Sequence, residues 1–62
     1  MELLFDNRRK KIRFGGTAAS LLRRLKVRRE EVVVKVNGRL APETKEIGSS
    51  DKVEVIKVVF GG

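Results

Sequence analysis

Polar and apolar residues alternate near both ends of the chain, and only one stretch between them carries a helical spacing. Leu3 and Phe5 share one side of the segment that begins at Glu2, and Ile12 and Phe14 share one side of residues 11–14. Alternation of this kind marks a half-buried strand. Asp6-Asn7 supplies turn chemistry between the two segments, so they read as a β-hairpin with the basic run from Arg8 to Lys11 at its solvated tip. Gly15-Gly16 then breaks the strand and Thr17 stands ready as a helix N-cap. Ala18, Leu21, Leu22 and Leu25 recur at i, i+3, i+4 and i+7, the stripe of an amphipathic helix of about three turns. Arg23, Arg24 and Lys26 lie off that stripe, near the C-terminal end where the helix dipole favours cations.

Past Glu30-Glu31 the period returns to two. Val32, Val34 and Val36 occupy one face of a strand, and Val33 and Lys35 the other. Asn37-Gly38 is the strongest short turn signal in the chain and reverses it into Arg39-Leu40. Pro42 restricts any continuation to a sheet edge. Residues 41–50 read as irregular structure around one apolar anchor, Ile47, and Gly48-Ser49-Ser50-Asp51 as the turn before a final strand. The expected core is Leu3, Phe5, Ile12, Phe14, Leu21, Leu22, Leu25, Val32, Val34, Val36, Leu40, Ile47, Val53 and Val55.

The final strand poses a phase problem. Val53 and Val55 point to the face a helix would cover, which sends Glu54, Ile56, Val58 and Phe60 to the opposite face. One short helix covers only one side of a small sheet, so Ile56, Val58 and Phe60 should join Val33 and Lys35 in an exposed apolar patch. Patches of that kind mark partner sites. A bulge near Ile56 would instead turn these residues inward and leave Lys57 outside.

Composition narrows the function. Sixty-two residues with 40% hydrophobic content make one small domain, expected over residues 1–60, followed by a flexible tail at Gly61-Gly62. The absence of Cys and His removes disulfides, thiol nucleophiles, imidazole bases and the commonest metal ligands, so an enzyme is not expected. No apolar run approaches the ~18 residues of a membrane span and no signal-peptide pattern is present, so a cytoplasmic monomer is the expectation. The net charge of +7 gathers in two clusters, Arg8, Arg9, Lys10, Lys11 and Arg23, Arg24, Lys26, Arg28, Arg29. They suit phosphate contacts of a nucleic-acid-binding module, a solvated surface, or steering toward an acidic protein. No aromatic residue interleaves either cluster to stack a base.

The order is strand, strand, helix, strand, short strand or loop, strand. This predicts an α+β fold, a mixed four- to five-stranded sheet with one helix on one face and the two terminal strands as parallel neighbours. At this point the sequence resembles the ubiquitin-like β-grasp family and, within it, the small sulfur carriers of the ThiS/MoaD branch. The resemblance rests on the Leu21-Leu22 helix, Val34-Lys35-Val36-Asn37-Gly38, Asp51-Lys52-Val53-Glu54-Val55, and the final Gly61-Gly62, and so spans nearly the whole chain.

The resemblance implies a carrier whose chemistry takes place at the Gly62 carboxylate. A ubiquitin-activating-like adenylyltransferase would use ATP and magnesium to form an acyl-adenylate there. Sulfur from a sulfurtransferase would then give a thiocarboxylate for a sulfur-accepting synthase in thiamine, molybdopterin or tRNA thiolation, or a protein lysine would attack to give an isopeptide bond. Two glycines without Cβ atoms suit a narrow channel. The chain itself binds no cofactor on this reading. Its length suits thiamine-type carriers and small archaeal-type modifiers better than molybdopterin carriers, and it is more basic than such carriers are expected to be. The alternatives are a basic nucleic-acid-binding module and a β-grasp interaction domain in which the glycines do nothing.

Overall fold

The computed structural model describes residues 1–58. Strand β1 (Glu2–Phe5) turns through Asp6 and Asn7 into β2 (Arg8–Lys11), with Phe5 opposite Arg8 and Glu2 opposite Lys11. Both turn residues have positive φ, 55° and 61°, the two-residue geometry whose twist matches that of the flanking strands. The tight turn corrects one expectation. The chain reverses at Asp6-Asn7 itself, so Arg8, Arg9, Lys10 and Lys11 are a strand rather than a hairpin tip. Ile12 and Phe14, expected on that strand, follow it and pack only partly against the core.

A two-residue strand, β3 (Gly16–Thr17), leads into α1 (Ala18–Leu25). Thr17 and Ser20 cap the helix reciprocally. The Ser20 N–H donates to Thr17 Oγ1 at 3.2 Å and the Thr17 N–H to Ser20 Oγ at 3.0 Å. The helix is eight residues long, about two turns rather than the expected three, because Lys26 takes a left-handed conformation (φ 59°) and ends it. The Lys26 and Val27 N–H groups there donate to Arg23 O and Leu22 O, both at 3.1 Å.

A 3₁₀ turn (Arg29–Glu31) precedes β4 (Val32–Val36), and Asn37-Gly38, with φ of 54° and 83°, reverses into β5 (Arg39–Leu40). Residues 41–50 are not wholly irregular. Their β6 (Glu46–Ile47) pairs with β3, and the carbonyls of Lys45 and Glu43 accept from Ala18 and Ala19 N–H at 2.9 Å each. This loop thereby satisfies helix donors that have no partner inside the helix.

The last strand, β7 (Lys52–Lys57), lies at the centre of a five-stranded sheet of order β2-β1-β7-β4-β5. It runs parallel to β1 and antiparallel to β4, as expected of the two terminal strands. The helix packs on one face. The core between them is Leu3, Ala18, Leu21, Leu22, Val32, Val34, Val36, Ile47, Val53 and Val55. Phe5, Ile12, Phe14 and Leu25 are only partly buried around it. Leu40 departs from expectation outright at 71% exposed. The two-residue turn pairs it with Lys35, and directly opposed residues share a face, so Leu40 falls on the side away from the helix.

Candidate functional site

Among the residues expected to carry function, Phe60, Gly61 and Gly62 lie outside the described residues. The platform that precedes them is described. Registration of β7 against β4 is unbroken, with Val32 opposite Lys57, Val33 opposite Ile56, Val34 opposite Val55, Lys35 opposite Glu54 and Val36 opposite Val53. A bulge near Ile56 would have broken that ladder. Ile56 and Val33 therefore meet across the open face, both half-buried, with Lys35 and Glu54 as the next pair. Val58 does not continue the strand. It is 37% exposed, and its N–H donates to Glu31 O at 2.9 Å.

Two apolar residues join this face that the sequence reading did not place there. Leu4 lies beside Glu54 in the parallel pairing, and Leu40 sits opposite Lys35. The signal for Leu4 was present in its alternation with Leu3 and Phe5. The open face thus mixes Leu4, Val33, Leu40 and Ile56 with charges of both signs. A shallow hollow of about 260 Å³ crosses it, lined by Leu4, Arg9, Lys35, Lys52 and Glu54 among others. Arg9 and Glu2 form an ion pair at its side, 3.6 Å apart.

Both ends of β7 are fixed. At its start the Lys52 N–H donates to Asn37 Oδ1 at 3.0 Å, and the Asn37 N–H donates to Lys52 O at 2.7 Å. Asn37 Nδ2 donates to Asp51 Oδ1 at 3.0 Å, while Asp51 Oδ2 accepts the Gly48 N–H at 2.8 Å. The hydrogen bond from Gly48 and then that from Asn37 hold the Asp51 carboxyl below the usual carboxylate range. At its far end Lys57 Nζ sits 5.9 Å from the centre of the Phe5 ring, a cation–π contact that ties β7 to β1.

The basic residues do not form one surface. Arg9 and Lys11 belong to the open face, whereas Arg8 and Lys10 face a groove between the hairpin and the helix that Arg24 also lines. Arg24 is further engaged, donating from Nη1 to Arg13 O at 2.9 Å. Arg28 and Arg29 pair with Glu30, and Arg29 also with Glu43 at 2.6 Å. Arg23 and Lys26 are exposed at the end of the helix. Among the described residues no group of His, Cys, Asp or Glu is arranged to hold a metal ion, and no helix is long and apolar enough to cross a membrane.

Over residues 3–62 the chain matches the model of the ThiS family. Among solved structures it is similar to the thiamine biosynthesis protein (ThiS) from Geobacter metallireducens, at 25% identity, with all of each chain covered and a TM-score of 0.69. No curated protein matches the chain.

Proposed function

The chain belongs to the ThiS family of ubiquitin-like β-grasp sulfur carriers, and on that premise we propose that its Gly62 carboxylate is the sulfur-carrying group, in the service of thiamine biosynthesis. The observation that carries this reading is a family match that runs through Gly61 and Gly62. A carboxylate is a poor electrophile. Attack of its oxygen on the α-phosphorus of ATP, held with magnesium by a partner activating enzyme, expels pyrophosphate and gives an acyl-adenylate. A sulfur nucleophile then displaces AMP and leaves a thiocarboxylate for a sulfur-accepting synthase. A reaction that draws on ATP suits the cytoplasm.

The chain contributes substrate and docking surface. It has no imidazole or thiol, and the hydroxyls of Thr17 and Ser20 are engaged in the helix cap. The open face, with Ile56, Val33 and Lys35 at its centre, is the surface that seats the partner enzyme. The support is the unbroken ladder that puts Ile56 beside Val33 on the side the helix leaves uncovered. Nucleic-acid binding has less support, because the basic residues are divided among separate surfaces and two of them, Arg28 and Arg29, are paired with Glu30 or Glu43. Incubation with the activating enzyme, ATP and a sulfur donor is the direct test. Mass spectrometry should detect first the adenylate and then a species heavier than the acid by the difference between sulfur and oxygen. A chain lacking Gly61-Gly62 should give neither. Adenylation of that shortened chain, or none of the full one, rejects the proposal.

A further inference from the structure

Strand β2 ends the sheet on one side, and no other described strand pairs with its outer edge. Its inner hydrogen bonds fix what that edge presents. Ile12 N–H donates to Met1 O, and the Met1 amino group donates to Ile12 O, each at 3.0 Å. In an antiparallel pair, bonded and non-bonded positions alternate. Lys10 and Arg8 are therefore bonded toward β1, while Arg9 and Lys11 direct both N–H and C=O outward. Behind this edge, on the helix side, lies a groove of about 410 Å³ with Phe5, Ile12 and Leu25 among its apolar lining and Arg8, Lys10 and Arg24 as its cations. Asp6 is the one acid in that lining, and no salt bridge neutralises these three cations among the described residues.

We propose that the outer edge of β2 and this groove take an extended acidic segment of a partner protein. The segment adds as a sixth strand, and the alternate side chains it turns into the groove include both apolar ones, for the floor, and carboxylates, for Arg8, Lys10 and Arg24. Strand addition supplies main-chain hydrogen bonds and the groove supplies side-chain selection. The charge selects the occupant. A second copy of this chain would set its own Arg8–Lys11 against the first, and like charges facing each other across strands are unfavourable. Single-stranded nucleic acid would want a ring to stack on. Among the described residues the Phe5 ring is covered by Lys57 Nζ, and the Phe14 ring packs over Gly16. Carboxylates on an apolar-anchored strand satisfy both the cations and the floor. This site is distinct from the open face and from Gly62, so its failure leaves the sulfur-carrier reading intact.

The test titrates the full isotope-labelled chain with an acetylated peptide of about six residues, the usual strand length, whose alternate, groove-facing positions carry valine and glutamate and whose other positions carry threonine. Amide shifts should centre on Arg9 and Lys11, with slowed hydrogen exchange at those two N–H groups and methyl shifts at Ile12 and Leu25. Combining Arg8→Glu with Lys10→Glu should weaken binding roughly tenfold or more. Lys11→Pro removes an outward N–H without touching the β1 ladder, and it should weaken binding at an unchanged melting temperature. Arg9→Pro serves if the first variant melts early. Undetectable binding, equal binding of a peptide with serine for valine, or normal binding to both proline variants overturns the proposal. So do shifts centred on Val33 and Ile56, or tighter binding of a single-stranded oligonucleotide at the same amides.

Discussion

Asn37 and Asp51 show how single side chains set the geometry of β7. Asn37 tolerates the left-handed backbone of its turn while its side chain bonds both the Lys52 N–H and Asp51. The Asp51 carboxyl has a lower pKa folded than unfolded, since Gly48 and Asn37 donate to its charged form. A depressed acid stabilises the fold above its unfolded pKa, near 4, and that contribution fades as pH falls through the folded value. Asp51→Asn should therefore lower the melting temperature at neutral pH, and thermal melts at successively lower pH should show the gap to the parent closing below about pH 4 as the parent's carboxyl takes up its proton. Asp51 was legible as a turn residue. Its link to Asn37 was not, because the two are 14 residues apart and only tertiary pairing brings them together.

At the scale of elements, legibility followed hydrophobic contrast. β1, β4 and β7 are rich in Leu, Val, Ile and Phe, broken by few charged residues, and were readable from that apolar content and its period of two. β2 reads Arg-Arg-Lys-Lys, and a strand solvated on both faces leaves no apolar signal to detect. β3 and β6 have two residues each, too few for any period, and they exist because the loop carbonyls of Glu43 and Lys45 meet the helix N-terminus. Leu40 departs from the burial its apolar character predicts because the register set by Asn37-Gly38 decides its face. Substitution separates the two anchors. Ile47→Ala should cost about 2–5 kcal/mol in denaturant unfolding as a buried truncation. Leu40→Ser should cost less than about 0.5 kcal/mol.

At the scale of the molecule, one short helix covers one face of the sheet and, among the described residues, leaves the other face uncovered. That Ile56 and Val33 share a face was legible from the period of two, because no inserted residue disturbs it, whereas their direct pairing comes from the register. The position of Leu4 beside them depended on the parallel register of β1, which local pattern does not reveal. If this face seats the activating enzyme, Ile56→Asp should weaken the complex by at least about 1–2 kcal/mol in calorimetry, with little change in melting temperature. Unaltered affinity, or a collapse of the fold, would move the docking surface elsewhere. The parallel pairing of β1 with β7 has a mechanical consequence. Traction on the C-terminal end of β7, with the start of β1 held, slides the two strands past each other. Their hydrogen bonds are then loaded together in shear, instead of being peeled one after another. On its other side β7 is paired with β4 from Lys57 to Val53, so it has a strand on both flanks. A partner that grips the chain beyond Lys57 and draws it into a channel would therefore pull against the most tightly held strand in the molecule, and the domain would follow its tail as a rigid body.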